Sequence, residues 1–243
     1  MITNYSLSES LEYAVQKTVN KIEESVNNRA WETYHENELF REIISGILGS
    51  QVQFETANYY AQQLYEKGLT NIGWINNNPN DFENKVYNAL SCPPYGQRNV
   101  RKKIFRYRYP KLRANHIRRT AESVYGNGDT FKCILSQCCD ARVARKRVME
   151  RTVGIGPKQA SLFLRNIGFS DDLAILDTHV LRYMFILKLT SQSIRNVPRI
   201  NDYEMVERKL MRYAFHMNHK LANLDMAIWI VMRVYTTEFS RWE

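Results

Sequence analysis

The sequence predicts an all-α protein, and three observations carry that prediction. Apolar residues recur at helical spacing along almost the whole chain, strand-like alternation is scarce, and the connections are short and marked by proline and glycine. Residues 8–26 read as an amphipathic helix with Leu11, Val15, Val19 and Ile22 on one side. Residues 36–49 carry Leu39, Ile43, Ile44 and Leu48 at the same spacing, and residues 57–64 continue helical after a break near Ser50. Asn78–Pro79 and residues 92–96 are loop punctuation. Pro110 opens a helix through Ala114, Ile117, Ala121 and Val124, which Gly126, Asn127 and Gly128 close. From there short helices are expected to follow one another to the end. No internal repeat, low-complexity tract or linker divides the chain.

A chain of 243 residues can bury one sizeable core or two small ones. Its 44% hydrophobic and 24% charged content is ordinary for a globular protein and argues against global disorder. The deviation is charge. A formal +9 favours polyanionic partners, nucleic acid before an acidic membrane surface. No apolar run approaches the roughly 18 residues of a spanning helix, and the first ten residues lack the cationic and apolar parts of a secretory signal. A cytoplasmic protein without a membrane, nucleoid-associated if prokaryotic, is therefore expected. Cys92, Cys133, Cys138 and Cys139 show no C-x-x-C spacing, which suits a reduced compartment. With no cysteine after Cys139, a four-cysteine iron–sulfur cluster near the C-terminus is excluded.

Chemistry concentrates in residues 141–187. A basic helix with Arg142, Arg145, Lys146, Arg147 and Arg151 leads into Val153–Gly154–Ile155–Gly156–Pro157–Lys158. Gly154 and Gly156 flank one apolar residue in a tight turn, and Pro157 suits the first helical position because the N–H it lacks would be an orphan there. Such a hairpin at a helix N-terminus suits a DNA phosphate, or is simply a structural turn. In the second helix Ala160, Phe163, Leu164 and Ile167 form the buried stripe, which puts Lys158, Ser161 and Arg165 on the opposite side. Lys158 then sits in the first turn beside the phosphate site, as nucleophile or as a plain phosphate contact. Nineteen residues on, the apolar run Leu173–Leu176 delivers Asp177 to the N-cap of a further helix with the inward stripe Val180, Leu181, Met184 and Leu187. A capping carboxylate can also face a cleft and steady positive charge on a sugar. Thr178 and His179, in the first turn, are candidate phosphate donors.

At these residues the sequence resembles the helix-hairpin-helix DNA glycosylases, and most closely the archaeal-type 8-oxoguanine DNA glycosylase/lyases. Gly154 to Gly168 matches G-I-G-x-K-x-A-S followed by F-L-R-N-x-G almost position for position, and Asp177 and His179 have the spacing of the family's D-x-H. Leu224–Asp225–Met226–Ala227–Ile228–Trp229 looks like the C-terminal helix that lines the family's base pocket. The resemblance implies two helical subdomains flanking a DNA-binding cleft, a catalytic lysine at Lys158 and a catalytic aspartate at Asp177. It implies a helical extension over 1–30 and the glycosylase fold over 31–243, with the hairpin at 141–168. No cofactor is required, although hairpin carbonyls in this family can hold a monovalent cation. The expected partner is duplex DNA with one modified base flipped out, met by a monomer.

Further site candidates follow. Trp229 is expected to stack on the flipped base, with Asp225 reading its edge or bonding the scaffold. Gln51 and Gln53 lie where this fold offers polar side chains to the gap left by flipping. Residues 98–113 interleave basic side chains, Arg106 and Arg108 among them, with Phe105, Tyr107 and Tyr109, a pattern that suits backbone contact and stacking. Three departures stand out: the added first thirty residues, an expanded 92–110, and a tail over 236–243 unlike the family's usual ending, which is the part that helps recognise the base. A non-catalytic phosphate clip would explain the hairpin and the charge but not Lys158 and Asp177 together. An enzyme for a different lesion is the other alternative.

Overall fold

The computed structural model describes residues 6–25, 29–93 and 106–239. Among these every regular element is helical. In chain order they are α1 (Leu7–Ser25), a 3-10 turn (Trp31–Thr33), α2 (Glu36–Leu48), α3 (Phe54–Glu66), α4 (Ile72–Asn77), α5 (Pro79–Ser91) and α6 (Pro110–Tyr125). Then come α7 (Phe131–Ser136), α8 (Ala141–Arg151), α9 (Pro157–Asn166), α10 (Thr178–Ile186), α11 (Ile200–His216) and α12 (Leu221–Phe239). The last two are long, 17 and 19 residues, where short helices were expected. Polar and basic residues interrupt the apolar stripe of α11 without a helix breaker, so hydrophobic runs understate its length. No helix among the described residues is long and apolar enough to cross a membrane. Of the cationic segment 98–113, residues 98–105 lie outside the described residues.

The residues fall into two compact units, Ala30–Ile167, and Met1–Arg29 together with Gly168–Glu243. The first is built around α2, whose Leu39, Phe40, Ile43, Ile44, Ile47 and Leu48 are all buried and meet α3, α6, α7 and α9. Two or more sides of that helix are covered, so its apolar face is wider than one stripe.

In the second unit α1 packs along α12, and α10 and α11 pack on α12 as well. Helix α1 is thus part of a core shared with the C-terminal helices. Leu11, Val15, Val19 and Ile22 are each at most 9% exposed. At about 1.5–3 kcal/mol for each fully buried aliphatic side chain, this one face contributes an amount comparable to the whole net stability of a domain. Polar contacts fix its register. Tyr213 Oη donates to Glu12 at 2.8 Å and lies 3.0 Å from Tyr183 Oη on α10, and burial pushes both phenols' pKa up. His219 stands between Gln16 at 2.6 Å and Glu23 at 3.1 Å. A charge placed in this face has no partner there. Val15→Asp should therefore lower stability by about 3 kcal/mol or more and removal of residues 1–29 should give an ANS-binding, aggregation-prone chain, both read by thermal unfolding and dye binding.

Candidate active site

Helix α8 begins at Asp140, whose Oδ1 accepts from Arg142 N at 2.7 Å and Val143 N at 2.9 Å. Its cations do not form one solvated face. Lys146 and Arg147 are exposed, whereas Arg145 is fully buried and donates to Ser161 Oγ at 3.1 Å. Ser161 therefore corrects the expected orientation of α9. Placed opposite the core by spacing, it is 0% exposed, because α9 packs between α8 and α2 and buries two faces. Arg165 and Lys158 remain half-buried.

The turn between α8 and α9 is held from three directions within its own unit. Val153 N donates to Thr120 Oγ1 of α6 at 2.9 Å. Ile155 is 7% exposed, and its Cδ1 lies 2.9 Å from where a side chain on Gly46 of α2 would begin. Gly154 has φ +83, and a Cβ there would run into Nδ1 of His116. Two independent constraints, backbone conformation and close approach, thus require glycine at 154. The turn itself keeps its donors: among the described residues, the N–H groups of Gly154, Ile155 and Gly156 are hydrogen-bonded to nothing in the chain. Gly156 offers α9 no side-chain cap, and Pro157 follows at the first helical position. Unsatisfied donors and the positive end of α9 converge, which is the arrangement of an anion site. Lys158 stands in that first turn, half-buried, with no hydrogen bond or ion pair among the described residues.

Asp177 belongs to the other unit. The extended run before it is buried and bonded by side chains from α11 and α12. Ala174 N donates to Glu207 Oε1 at 3.0 Å, Ile175 N to Asp225 Oδ2 at 3.1 Å, and Leu176 N to the Tyr203 hydroxyl at 3.0 Å. Asp177 then caps α10 as expected, its Oδ1 accepting from His179 N and Val180 N at 2.9 Å each. Its Oδ2 has no donor among the described residues. Thr178 is exposed and His179 half-buried on the same turn. Of the two roles open to Asp225, the structure displays the scaffold one, since it is 1% exposed and holds Ile175. Trp229 is half-buried, with the Arg233 guanidinium 4.9 Å from its ring centroid.

An open pocket of about 660 Å³ brings Gln51 and Gln53 together with Arg106 and Arg108, residues more than fifty positions apart. Val52, Tyr107 and Pro110 supply apolar wall, and Thr56, 1% exposed, lies among its lining residues with no partner for its hydroxyl. Gln51 is held at φ +61, a sparsely populated conformation for a side-chain-bearing residue. Sequence reasoning missed Thr120 and His116, which pack against the turn, Arg113, which bonds His116, and Thr56, which lines the pocket. The first three share a helix face with Ile117 and Val124, where a pattern search records only core. No group of His, Cys, Asp or Glu among the described residues is placed to hold a metal ion, and the four cysteines are free thiols.

Comparison with known proteins adds a second line of observation. The family whose sequence model matches residues 94–219 is described as 8-oxoguanine DNA glycosylase. The 8-oxoguanine DNA glycosylase/AP lyase of Saccharolobus solfataricus is 33% identical over 157 residues, covering 59% of this chain and 72% of that protein. The enzyme of the same name from Sulfurisphaera tokodaii is 29% identical over 209 residues, 84% of each chain. Among solved structures, the 8-oxoguanine DNA glycosylase of Thermotoga maritima superposes with a TM-score of 0.65 at 24% identity, covering 96% of each chain. The Methanocaldococcus jannaschii glycosylase/lyase in complex with a 15mer DNA containing 8-oxoguanine gives 0.61 at 22% identity, over 94% and 91%. At such identities the structural likenesses speak to fold.

The seating of the turn has a direct test. Gly154→Ala should cost about 1–3 kcal/mol by combined backbone strain and displacement of His116, and should weaken duplex DNA binding, measured by thermal unfolding and fluorescence anisotropy. Wild-type values for both would show that residue 154 is not under these constraints.

Proposed function

This chain belongs to the 8-oxoguanine DNA glycosylase family, and from that premise we propose that it excises 8-oxoguanine from duplex DNA and nicks the strand through a Schiff base on Lys158. The observation that carries this reading is the pair of helix N-termini. One leaves its N–H groups to an anion and holds Lys158, without a partner among the described residues; the other is capped by Asp177, whose second carboxylate oxygen has no donor among them.

The chemistry follows from those groups. Glycosidic bond cleavage builds oxocarbenium character on the deoxyribose, and the Asp177 carboxylate opposes that charge far better in a water-poor site than in bulk water. The unprotonated Lys158 amine attacks C1′, and the C1′–N bond breaks as the base leaves and takes up a proton. Sugar-ring opening then gives an imine between Nζ and C1′. The imine acidifies C2′; loss of that proton and departure of the 3′-phosphate complete β-elimination. Because C1′ cannot be reached within a stacked duplex, the nucleotide is flipped out first.

Binding roles are assigned on the same premise. The hairpin donors, with Thr178 and His179, take DNA phosphates, and hairpin carbonyls suit a monovalent cation better than a divalent one, since they supply oxygen dipoles and no carboxylate. Gln51, Gln53, Arg106 and Arg108 meet the strand at the gap left by flipping. Trp229 stacks on the flipped base through the ring face away from Arg233. One chain supplies every named group, so a monomer suffices.

Two variants test the chemistry. Borohydride trapping on duplexes carrying 8-oxoguanine opposite each normal base should give a covalent adduct with wild type and none with Lys158→Gln; continued cleavage by Lys158→Gln would remove the lysine from the mechanism. A preference for a different lesion in a parallel panel would remove 8-oxoguanine instead. Asp177→Asn should keep the cap and hold stability to within about 1 kcal/mol, since asparagine caps as well as aspartate. Its single-turnover excision rate should nonetheless drop by about 100-fold or more.

A further inference from the structure

Helix α6 carries a side-chain pair that the proposed chemistry does not use. Arg113 is 6% exposed, and it donates through Nη2 to the Ser50 carbonyl at 3.2 Å and through Nη1 to His116 Nδ1 at 3.1 Å. A guanidinium has no lone pair to offer. Nδ1 must therefore be the unprotonated nitrogen of the ring, with the proton on Nε2. Burial first, and then the charges of Arg113 and Arg119, lower the pKa of His116 and favour that neutral form. The Nδ1 edge defined in this way is the edge that abuts Gly154.

The two ends of this arrangement are the two polar surfaces of the unit. Ser50 directly precedes Gln51, which has φ +61 and opens the pocket shared with Arg106 and Arg108. Gly154 begins the turn whose N–H groups have no acceptor among the described residues. One guanidinium and one imidazole connect them through a hydrogen bond to a backbone carbonyl at one end and a close packing contact at the other.

We propose that Arg113 and His116 form a positioning strut that sets the spacing between the Gln51 loop and the 153–156 hairpin, so that both meet the DNA backbone in register. The proposal rests on the reading of that hairpin as a phosphate site. Neither residue touches a reacting atom; the strut acts on binding. With His116 truncated, Nη1 of Arg113 loses its acceptor and a void opens behind Gly154, into which the turn relaxes. No DNA-facing side chain is deleted, yet the hairpin and the surface of Arg106 and Arg108 no longer reach the backbone together.

The test compares wild type with His116→Ala, His116→Asn and Arg113→Lys on duplexes containing 8-oxoguanine. Single-turnover excision is followed over a range of protein concentrations, and duplex affinity over a range of salt. His116→Ala should raise the half-saturating concentration about 10-fold while leaving the limiting rate within about 2-fold, the pattern of lost uniform binding. It should also reduce the slope of log affinity against log salt by about 0.9, the loss of one phosphate contact by Arg106 or Arg108 once the two surfaces no longer meet the backbone in register, since the uncharged N–H groups of the hairpin do not enter that slope. A general loss of packing would not move that slope. His116→Asn, whose amide oxygen reaches the Nδ1 position, should restore most of both. Arg113→Lys should resemble His116→Ala, because one ammonium cannot span the Ser50 carbonyl and the ring; its salt slope decides the matter if His116→Ala does not fold. Wild-type half-saturation and slope in His116→Ala, a fall confined to the limiting rate, or no rescue by asparagine would each overturn the strut. A wild-type protein that forms no trapped adduct on any lesion duplex would overturn the glycosylase reading instead.

Discussion

An α-helix begins with N–H donors that it cannot satisfy itself, and this chain resolves that shortage in two opposite ways. At α10 the shortage is met internally, by Asp177 Oδ1 on two N–H groups at 2.9 Å. At α9 it is not met: Gly156 has no side chain to cap with, Pro157 removes one donor outright, and the turn before them keeps its own. The first solution fixes a carboxylate at the head of a helix. The second leaves a patch of positive potential with a lysine beside it. The roles proposed for Lys158 and Asp177 depend on these two helix starts.

Both starts are held by buried polar groups, which is where the fold takes its risks. An unbonded polar group costs several kcal/mol in an apolar interior, so such groups persist where each has a partner. Glu207, Tyr203 and Asp225, all at most 1% exposed, are used to bond three successive N–H groups of an extended segment that has no sheet to join. That segment ends at Asp177. Arg145 does the corresponding work between α8 and α9 by bonding Ser161. Lost bonds in either group would misplace a helix start before they unfolded the protein. Helix α1 belongs to the same logic, since Glu12 reaches Tyr183 of α10 through Tyr213.

The hairpin adds a steric condition. Ile155 is pressed against Gly46, and Gly154 against His116, so two glycines far apart in sequence serve one turn. Close approach of this kind stiffens a loop that would otherwise relax. A stiff turn presents its donors at fixed spacing, which an anion on a regular backbone rewards. The donors of the turn are therefore held in place from α2 and α6, by the bare backbone at Gly46 and by the side chains of His116 and Thr120.

What the residue order determined by itself was periodic and local. Helical spacing, Pro110 and Pro157 at helix starts, Gly168 at a helix end and the cap at Asp177 are consequences of backbone sterics and orphan donors, which act within a few residues and so are written in the string. The motif around Lys158 was legible for the same reason. Tertiary structure alone decided what depends on which surfaces meet. Ser161 and Arg145 became interior because α9 is covered on two sides, and the apolar face of α1 became core because it packs along α12. His116 acquired a role only because Gly154 was brought against it. Spacing along one helix gives the direction of a side chain, but whether water or protein lies in that direction is settled by elements a hundred residues away.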